Sequence, residues 1–463
     1  MNKNFFKNIS LVLLLVLVLA SCKVTQTYQS PEVRTEGLFR NVNNSDTNTV
    51  AHLSWNAFFT DEALQRLIEE GIERNLDLKI AFTRIQQAQA YYIQSGAAFW
   101  PTLNANASVT ESRFSEVQGF GIRTHATQFQ LGLSSSWEVD VWGRLKSSRR
   151  ANLANLLQSE AAARTVQTGL VSAIASYYYT LLALDQQLAI TELTVQNWDS
   201  TVATMRELKQ AARVTEAAVV QSEAQRYAAE VTIPDLKQSI REAENALSIL
   251  IGNPPAAIIR SRLEDQQPAP VLQTGVPAQL LANRPDVQQA ELGYRNAFEL
   301  TNVARTAFYP ALTITGSAGL SSVELSKFLD PSALFASIGA GLTQPIFNRR
   351  LNRTNLLVAQ AEQQAAILNF QNTMLIAGRE VSDAISLHAA ALEKMSVRSN
   401  QLTALQQSVS YTQQLLQSGF GNYIEVIAAR QSLLNAEISS VNDRLQQLQA
   451  TVDLYRSLGG GWR

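Results

Sequence analysis

Four segments of the chain alternate between apolar and polar residues. They span about 101–113, 125–139, 310–323 and 332–346, and they are nearly free of charge. A period of two is typical of a β-strand with one apolar and one polar face. Each segment is long enough for the roughly 9 to 11 residues of a tilted membrane strand. The pattern alone also fits a half-buried sheet in a soluble protein, so the rest of the chain must decide between the two interpretations.

Each pair of predicted strands is followed by a segment with the pattern of a long helical hairpin. No proline occurs between 143 and 211, and between 170 and 205 apolar residues recur at alternating spacings of four and three, with Thr191 at the one seam position that is not apolar. Such spacing is typical of a coiled-coil seam. A return helix is predicted from 216 to 251, with a kink at Pro234 because proline disrupts a helix interior. In the second half the outgoing helix is predicted from 349 to 417, and its return helix carries regular heptads.

The same order of predicted elements occurs twice along the chain. Phe99–Leu103 returns as Phe308–Leu312, and related positions in the two halves lie 207 to 209 residues apart. A unit of this length is not a solenoid repeat, which has about 20 to 50 residues. We therefore expect two structural repeats, 61–251 and 279–458, each with a helix, two strands and a long helical hairpin.

Short segments join and end the two repeats. The linker 252–278 contains five prolines, and we expect it to be extended and to form part of an equatorial belt around the helices. The residues 459–463 form a short tail. Asp77 and Asp286 each lie near the start of a predicted helix, where the helix dipole favours a negative charge. We interpret them as first-turn residues rather than as catalytic acids.

The amino terminus has the pattern of a cleavable lipoprotein signal. Lys3 and Lys7 precede an apolar run from 9 to 20, which is shorter than the roughly 20 residues of a membrane-spanning helix but fits a signal peptide. The small residues before Cys22 resemble a bacterial lipobox. That resemblance implies removal of residues 1–21 and a covalent lipid, diacylglyceryl and N-acyl, on Cys22. A cysteine left over in an ordinary secretory signal is the alternative.

The mature chain is predicted to begin with a lipid-anchored, extended segment, 22–60. No later stretch is long and apolar enough for a transmembrane helix. If the protein crosses a membrane, it must therefore do so as strands. Four strands cannot close a barrel, because open edges are not tolerated in lipid and known membrane barrels have at least about eight strands. Two subunits would supply eight strands and three would supply twelve.

Composition and motifs argue against several other functions. The formal net charge is -1 and no basic cluster occurs, so we expect no nucleic-acid partner. Cys22 is the single cysteine, and His52, His125 and His388 lie far apart, without the spacing of metal ligands. Neither a nucleophile elbow nor a phosphate-binding glycine loop occurs. We predict no enzymatic activity, no catalytic residues, no metal and no cofactor other than the lipid.

Several motifs resemble the outer-membrane efflux factors, a family whose non-lipidated branch is typified by a toxin-exporting tunnel protein. The likeness runs from about Trp55 to the carboxyl end, with its motifs in the family's order. They are Ser136–Arg144 after the second strand, Arg284–Asp286, Thr343–Phe347 after the fourth strand, Asn422-Tyr423 with Val426, Gln431–Leu434, and Leu454–Trp462. Because of the lipobox, the chain resembles the lipoprotein branch, which serves resistance-nodulation-division pumps.

The resemblance implies a mixed α and β membrane protein that forms a homotrimer. Four strands from each subunit would form one twelve-stranded β-barrel in the outer membrane of a Gram-negative bacterium, continued by a long periplasmic α-helical barrel. The assembly would be a passive conduit that exports drugs or other small molecules, with a periplasmic adaptor and an inner-membrane transporter as partners. Two alternatives remain, an exit duct for type I protein secretion and a lipid-anchored periplasmic adaptor.

The turns of the two helical hairpins are the predicted periplasmic aperture. They lie at 211–216 and 418–423, at matching places in the two repeats. Glycines at a sharp helix reversal also have a purely structural explanation, since they accept left-handed backbone angles. Charge near the turns permits an ionic lock between neighbouring turns. The candidate residues are Arg213, Glu216, Gly419, Phe420, Gly421, Asn422 and Tyr423.

Overall fold

A computed structural model describes residues 24–32, 37–40, 49–113, 125–267 and 279–463. The predicted signal sequence, Cys22, the loop 114–124 and the end of the predicted linker lie outside these residues. The chain divides into two compact units. The first, here called the sheet unit, consists of 1–32, 84–159 and 289–370. The second, here called the helical unit, consists of 33–83, 160–288 and 371–463.

In the described residues of each half of the chain, helices precede a pair of strands and a long helix with its return segment follows it. The first half contains α1 Trp55–Phe58, α2 Glu62–Arg74, α3 Leu76–Ala97, β1 Thr102–Arg113, β2 His125–Val139, α4 Arg144–Gln210, α5 Glu216–Glu230 and α6 Thr232–Leu250. The second half contains α7 Leu280–Asn283, α8 Pro285–Thr306, β3 Ala311–Ser322, β4 Leu334–Thr343, α9 Leu351–Ser418 and α10 Tyr423–Ser457. Short 3-10 helices lie at Val50–His52, Leu263–Asp265, Leu325–Lys327 and Pro331–Ala333.

The four strands lie within a few residues of their predicted bounds and form one antiparallel sheet in the order β1-β2-β3-β4. Leu131 on β2 stands opposite Ala107 on β1 and Leu320 on β3, and Leu320 stands opposite Leu334 on β4. Directly opposed residues share a face of a sheet, and side chains alternate along each strand. The register therefore places the apolar positions of all four strands on one face and the polar positions on the other.

Side-chain hydrogen bonds connect the strands across the polar face. The Asn106 amide donates to the Ser134 hydroxyl at 2.8 Å, and the hydroxyl oxygens of Ser317 and Ser337 lie 2.7 Å apart. Such cross-strand pairs stabilise a sheet by a few tenths of a kcal/mol to about 1 kcal/mol each. The polar face thus satisfies part of its hydrogen bonding with uncharged groups.

The two outgoing helices are unusually long, with 67 residues in α4 and 68 in α9. Among the residues that the structure describes, no helix combines the length and the apolar character that a membrane span requires. The predicted return helix from 216 to 251 is broken at Val231, three residues before Pro234. The break precedes the proline because its ring clashes with the carbonyl of Glu230, four residues earlier.

The predicted extended segment 22–60 is not extended throughout, which corrects the expectation. Its described part contains a 3-10 helix at Val50–His52 and the helix α1. The Thr49 hydroxyl accepts a hydrogen bond from the Ala51 N–H at 3.3 Å, which fits an N-cap role. The cap at Thr49 is a local signal for a short helix, and a pattern of long periodic segments does not detect it.

Asp61 anchors a buried polar cluster in the helical unit. Its carboxylate caps α2 by accepting from the Ala63 N–H at 2.8 Å, and it also accepts from the Tyr178 hydroxyl at 2.8 Å and the Gln266 amide at 2.7 Å. Ser261 donates to the same carboxylate. Burial alone would raise the pKa of Asp61, but the hydrogen bonds from Ser261, Tyr178 and Gln266 outweigh it and lower the pKa.

We expect Asp61→Asn to destabilise the protein at neutral pH by about 1 to 3 kcal/mol, the usual range for hydrogen bonds to a charged group. Because the folded-state pKa is lowered, this contribution is present above the ordinary aspartate value and is lost as the pH falls below about 4. Thermal unfolding of the wild type and the variant should therefore differ most at pH 7 and converge near pH 3. Asp265→Asn, an exposed neighbour, is the control, and an equal loss there at pH 7 would contradict the assignment.

Candidate functional site

Both hairpin turns end their outgoing helix with the same backbone motif. Ala212 follows α4 with φ +57°, and Gly419 follows α9 with φ +81°. In both turns the next amide N–H donates to the carbonyl five residues earlier, at 2.8 Å in the first turn and 3.0 Å in the second. This is the Schellman arrangement, in which the left-handed residue is usually glycine. An alanine there costs about 1 to 2 kcal/mol, so the first turn is the more strained of the two.

Arg213 links the two turns within one subunit. Its Nη1 donates to the carbonyl oxygen of Gln417 at 3.5 Å. A β-carbon on Gly419 would overlap its Nη2, so the guanidinium lies directly against that glycine. The cation also lies at the carboxyl end of α9, where the helix dipole favours a positive charge. The structure therefore gives Gly419 a packing role in addition to its backbone angle.

The predicted aperture charges are not paired with one another in the subunit. Glu216 forms an ion pair with Lys209, near the end of α4. Arg213 instead contacts the second turn. Sequence reasoning missed Lys209, although it lies seven residues before Glu216 across a sharp turn. The ionic lock between neighbouring turns stays a prediction.

The remaining candidates of the second turn have distinct roles. A β-carbon on Gly421 would lie 2.8 Å from the backbone nitrogen of Leu416, so the position has no room for a side chain. Asn422 caps α10, because its side-chain oxygen accepts from the Ile424 N–H at 3.0 Å. Phe420 is 87% exposed. The glycines and Asn422 shape the turn, and Phe420 presents an apolar ring to the solvent.

An apolar cluster holds the four helix ends together. Its buried members are Met205, Ala218, Val219, Leu416 and Val426. Three partly buried residues pack against it: Leu208, Val214 and Tyr423. A cavity of about 530 Å³ lies between the two turns and is lined by residues of both. The turns are thus fixed at their base, while the surface between them stays open.

Arg430 is a second cation near the turns that sequence reasoning missed. Its guanidinium lies 5.9 Å from the ring centroid of Trp198, and its Nη1 donates to the Asn197 carbonyl at 3.4 Å. Burial lowers the pKa of Arg430. No nearby sequence motif identifies this residue, since its surroundings come from α4.

The N-terminal segment that follows Cys22 is bound to α8 in the sheet unit. The Asn302 side chain accepts from the Gln26 N–H at 3.0 Å and donates to the Gln26 carbonyl at 2.9 Å. Ser30 donates to the Glu291 carboxylate at 2.7 Å, and the Tyr28 ring packs against α8. Cys22 itself lies outside the described residues. The chain that follows the predicted lipid attachment site is therefore held in a defined position.

Among the described residues, no group of three or more His, Cys, Asp or Glu side chains is arranged to hold a metal ion.

The comparisons with known proteins agree on one family. Two segments, 67–253 and 276–460, match the sequence model of a family described as outer membrane efflux protein. The chain is 29% identical to the cation efflux system protein CusC of Escherichia coli O6:H1, over 96% of this chain and 97% of that one. It is 28% identical to the probable outer membrane lipoprotein SilC of Salmonella typhimurium, over 96% and 97%.

The fold is also similar to that of a solved outer membrane channel. The open state of MtrE from Neisseria gonorrhoeae matches with a TM-score of 0.86 and 25% identity, over 96% of this chain and 99% of that one. Each of the two segments that match the family contains one pair of strands followed by a long helix.

Proposed function

The chain belongs to the outer membrane efflux protein family, and we propose that it is one subunit of a homotrimeric channel that forms the outer-membrane part of a tripartite efflux system. Three subunits with four strands each would supply twelve strands to one barrel. Helical hairpins from each subunit would continue the conduit into the periplasm of a Gram-negative bacterium. In this proposal the two halves are structural repeats, and each supplies one strand pair and one hairpin.

The observation that carries this proposal is the division of the sheet into an apolar and a polar face. The register aligns four apolar stripes, which would face lipid, and four polar stripes, which would line the conduit. Among the residues that the structure describes, no strand of the subunit pairs with the outer edge of β1 or of β4. Because lipid cannot satisfy open backbone groups, these edges must pair with other subunits.

The remaining parts of the proposal concern the partners and the anchor. The channel is a passive conduit rather than an enzyme, and a resistance-nodulation-division transporter and a periplasmic adaptor supply it with cargo. Cys22 carries the lipid. The hairpin turns, with Arg213 and Gly419, form the periplasmic aperture. Because a wide polar conduit selects weakly, the pump determines which substrate is exported.

A thiol-labelling experiment tests the orientation of the sheet. We expect Ser337→Cys, on the polar face, to react with a charged, membrane-impermeant thiol reagent and to lower the channel current in planar bilayers. Ile338→Cys, the next residue along β4, should be protected by lipid and leave the current unchanged. Cys22 is the only native cysteine, so the background is low. Equal labelling of the two variants, or no current from the trimer even with a loosened tip, would refute the proposal.

A further inference from the structure

Two consecutive arginines adopt left-handed backbone angles where the sheet leads into α9. Arg349 has φ +55° and Arg350 has φ +66°. Each left-handed residue other than glycine costs about 1 to 2 kcal/mol. In the first half, the position 207 residues before Arg350 is Gly143, with φ +80°. Each half therefore has a left-handed residue immediately before its long helix, a glycine in the first half and a strained arginine in the second, where Arg349 adds another left-handed residue.

Backbone strain that persists at a site points to a use for the side chain. The side chains of Arg349 and Arg350 are exposed. Within the part of the chain that the structure describes, neither guanidinium has an ion pair or a hydrogen bond. No contact of these guanidiniums within the described residues therefore offsets the strain, and both charges are accessible to a ligand outside the subunit.

The surroundings of the two arginines continue the apolar face of the sheet. That face ends on β4 at Leu342, and the next large apolar residues, Ile346 and Phe347, are 100% and 85% exposed. Neither could remain in water without cost, since apolar surface contributes about 25 cal/mol per Å² when it is buried. The apolar band and the two cations therefore follow one another directly along the chain.

Aromatic residues lie next to the ends of the neighbouring strands at this edge of the sheet. The register pairs Ala311 with Thr343, so β3 begins where β4 ends. Trp142 follows β2, and its indole N–H donates at 2.8 Å to the carbonyl oxygen of Pro310, the residue before β3. The Trp142 ring centroid lies 5.0 Å from that of Tyr309. Tryptophan and tyrosine concentrate at the boundary between a membrane and water. The end of β4, six residues before Arg349, thus lies at the level at which lipid headgroups are expected.

We propose that Arg349 and Arg350 bind the phosphate of an anionic phospholipid at the periplasmic edge of the membrane-spanning sheet. The planar guanidinium forms two parallel hydrogen bonds to phosphate, and Ile346 and Phe347 would contact the acyl chains. The charges complement an anionic headgroup, and the apolar face is continuous with the surface that faces lipid. The inference rests on the proposed membrane orientation of the sheet.

The test replaces both arginines with glycine, which removes the two charges and relieves the backbone strain of the two left-handed angles. The full-length trimer is reconstituted in vesicles of phosphatidylglycerol and phosphatidylcholine, and enrichment of phosphatidylglycerol around the protein is measured with spin-labelled lipids. We expect the Arg349→Gly/Arg350→Gly variant to lose the enrichment, on the order of fivefold per arginine. The Arg349→Lys/Arg350→Lys variant keeps both charges and should retain most of the lipid enrichment. Lys79→Gln/Arg84→Gln removes two exposed charges elsewhere and should have no effect.

Three outcomes would overturn the inference. They are unchanged enrichment in the glycine variant, an equal loss in the Lys79→Gln/Arg84→Gln control, and full competition by millimolar inorganic phosphate, which would show a site for free anions. If unchanged enrichment is accompanied by a change in ion selectivity, the guanidiniums face the conduit instead. Channel current is measured on the same glycine variant. If the trimer conducts but the lipid result contradicts the expectation, only this inference fails, whereas a trimer without current contradicts the proposed channel.

Discussion

Gly419→Ala should increase the uptake of large antibiotics through the channel in cells and raise its conductance in planar bilayers. The left-handed backbone at Gly419 costs an alanine about 1 to 2 kcal/mol, and the new β-carbon would displace the Arg213 guanidinium from the second turn. That energy is enough to change the ratio of closed to open turns by roughly 5- to 30-fold in each subunit.

A pair of further variants shows whether Arg213 mediates the effect. Arg213→Ala alone should also raise permeability, because it removes the hydrogen bond to the Gln417 carbonyl. The increase in permeability in Arg213→Ala/Gly419→Ala should be smaller than the sum of the two single increases. Without the guanidinium the new β-carbon no longer overlaps it, and only the backbone strain at position 419 remains. Glu216→Gln breaks only the ion pair with Lys209 and should have a smaller effect. If Glu216→Gln instead raises permeability as much as Arg213→Ala does, an ionic lock holds the tip. Unchanged permeability in Gly419→Ala would exclude a gate that depends on Gly419 and Arg213.

The strands and their faces could be predicted because the period of two is a local property. An apolar residue at every second position fixes both the element and the face of each residue, as in Leu334 and Ile338. The pairing of β2 with β3 could not be predicted in this way. It joins the two halves, and alternation does not specify which strands are neighbours.

The turns show a similar division between local and distant information. Gly419 indicates a left-handed residue from its type alone, whereas Ala212 has the same conformation against its own preference. Only the spacing between the two halves pointed to that position. The partners of Arg213 and the position of Arg430 depend on helices that lie far apart in sequence. Their geometry required the structure.

Arg284→Ala should cause the largest loss of stability among single substitutions of charged residues in the helical unit. Sequence reasoning placed Asp286 in the first turn of α8 but did not predict that Arg284 is buried, with 5% of its surface exposed. Its guanidinium donates to Asp286 at 2.6 Å, to Glu380 on α9 at 2.8 Å and to the Ser457 carbonyl at the end of α10 at 2.9 Å. Burial alone would lower the pKa of Arg284, but the two carboxylates outweigh it and raise the pKa.

Removing Arg284 from this network leaves Glu380 with only the more distant Arg456, at 3.9 Å, and breaking a buried charge pair costs about 3 to 5 kcal/mol. We therefore expect Arg284→Ala to unfold at a clearly lower temperature and to give little trimer. Glu380→Gln in the same chain should restore part of the stability, because one stranded charge disappears. Arg66→Ala is the matched control, since its ion pair with Glu62 is exposed and contributes about 1 kcal/mol at most. A loss in Arg284→Ala as small as that of Arg66→Ala would show that the network does not hold α8, α9 and α10 together.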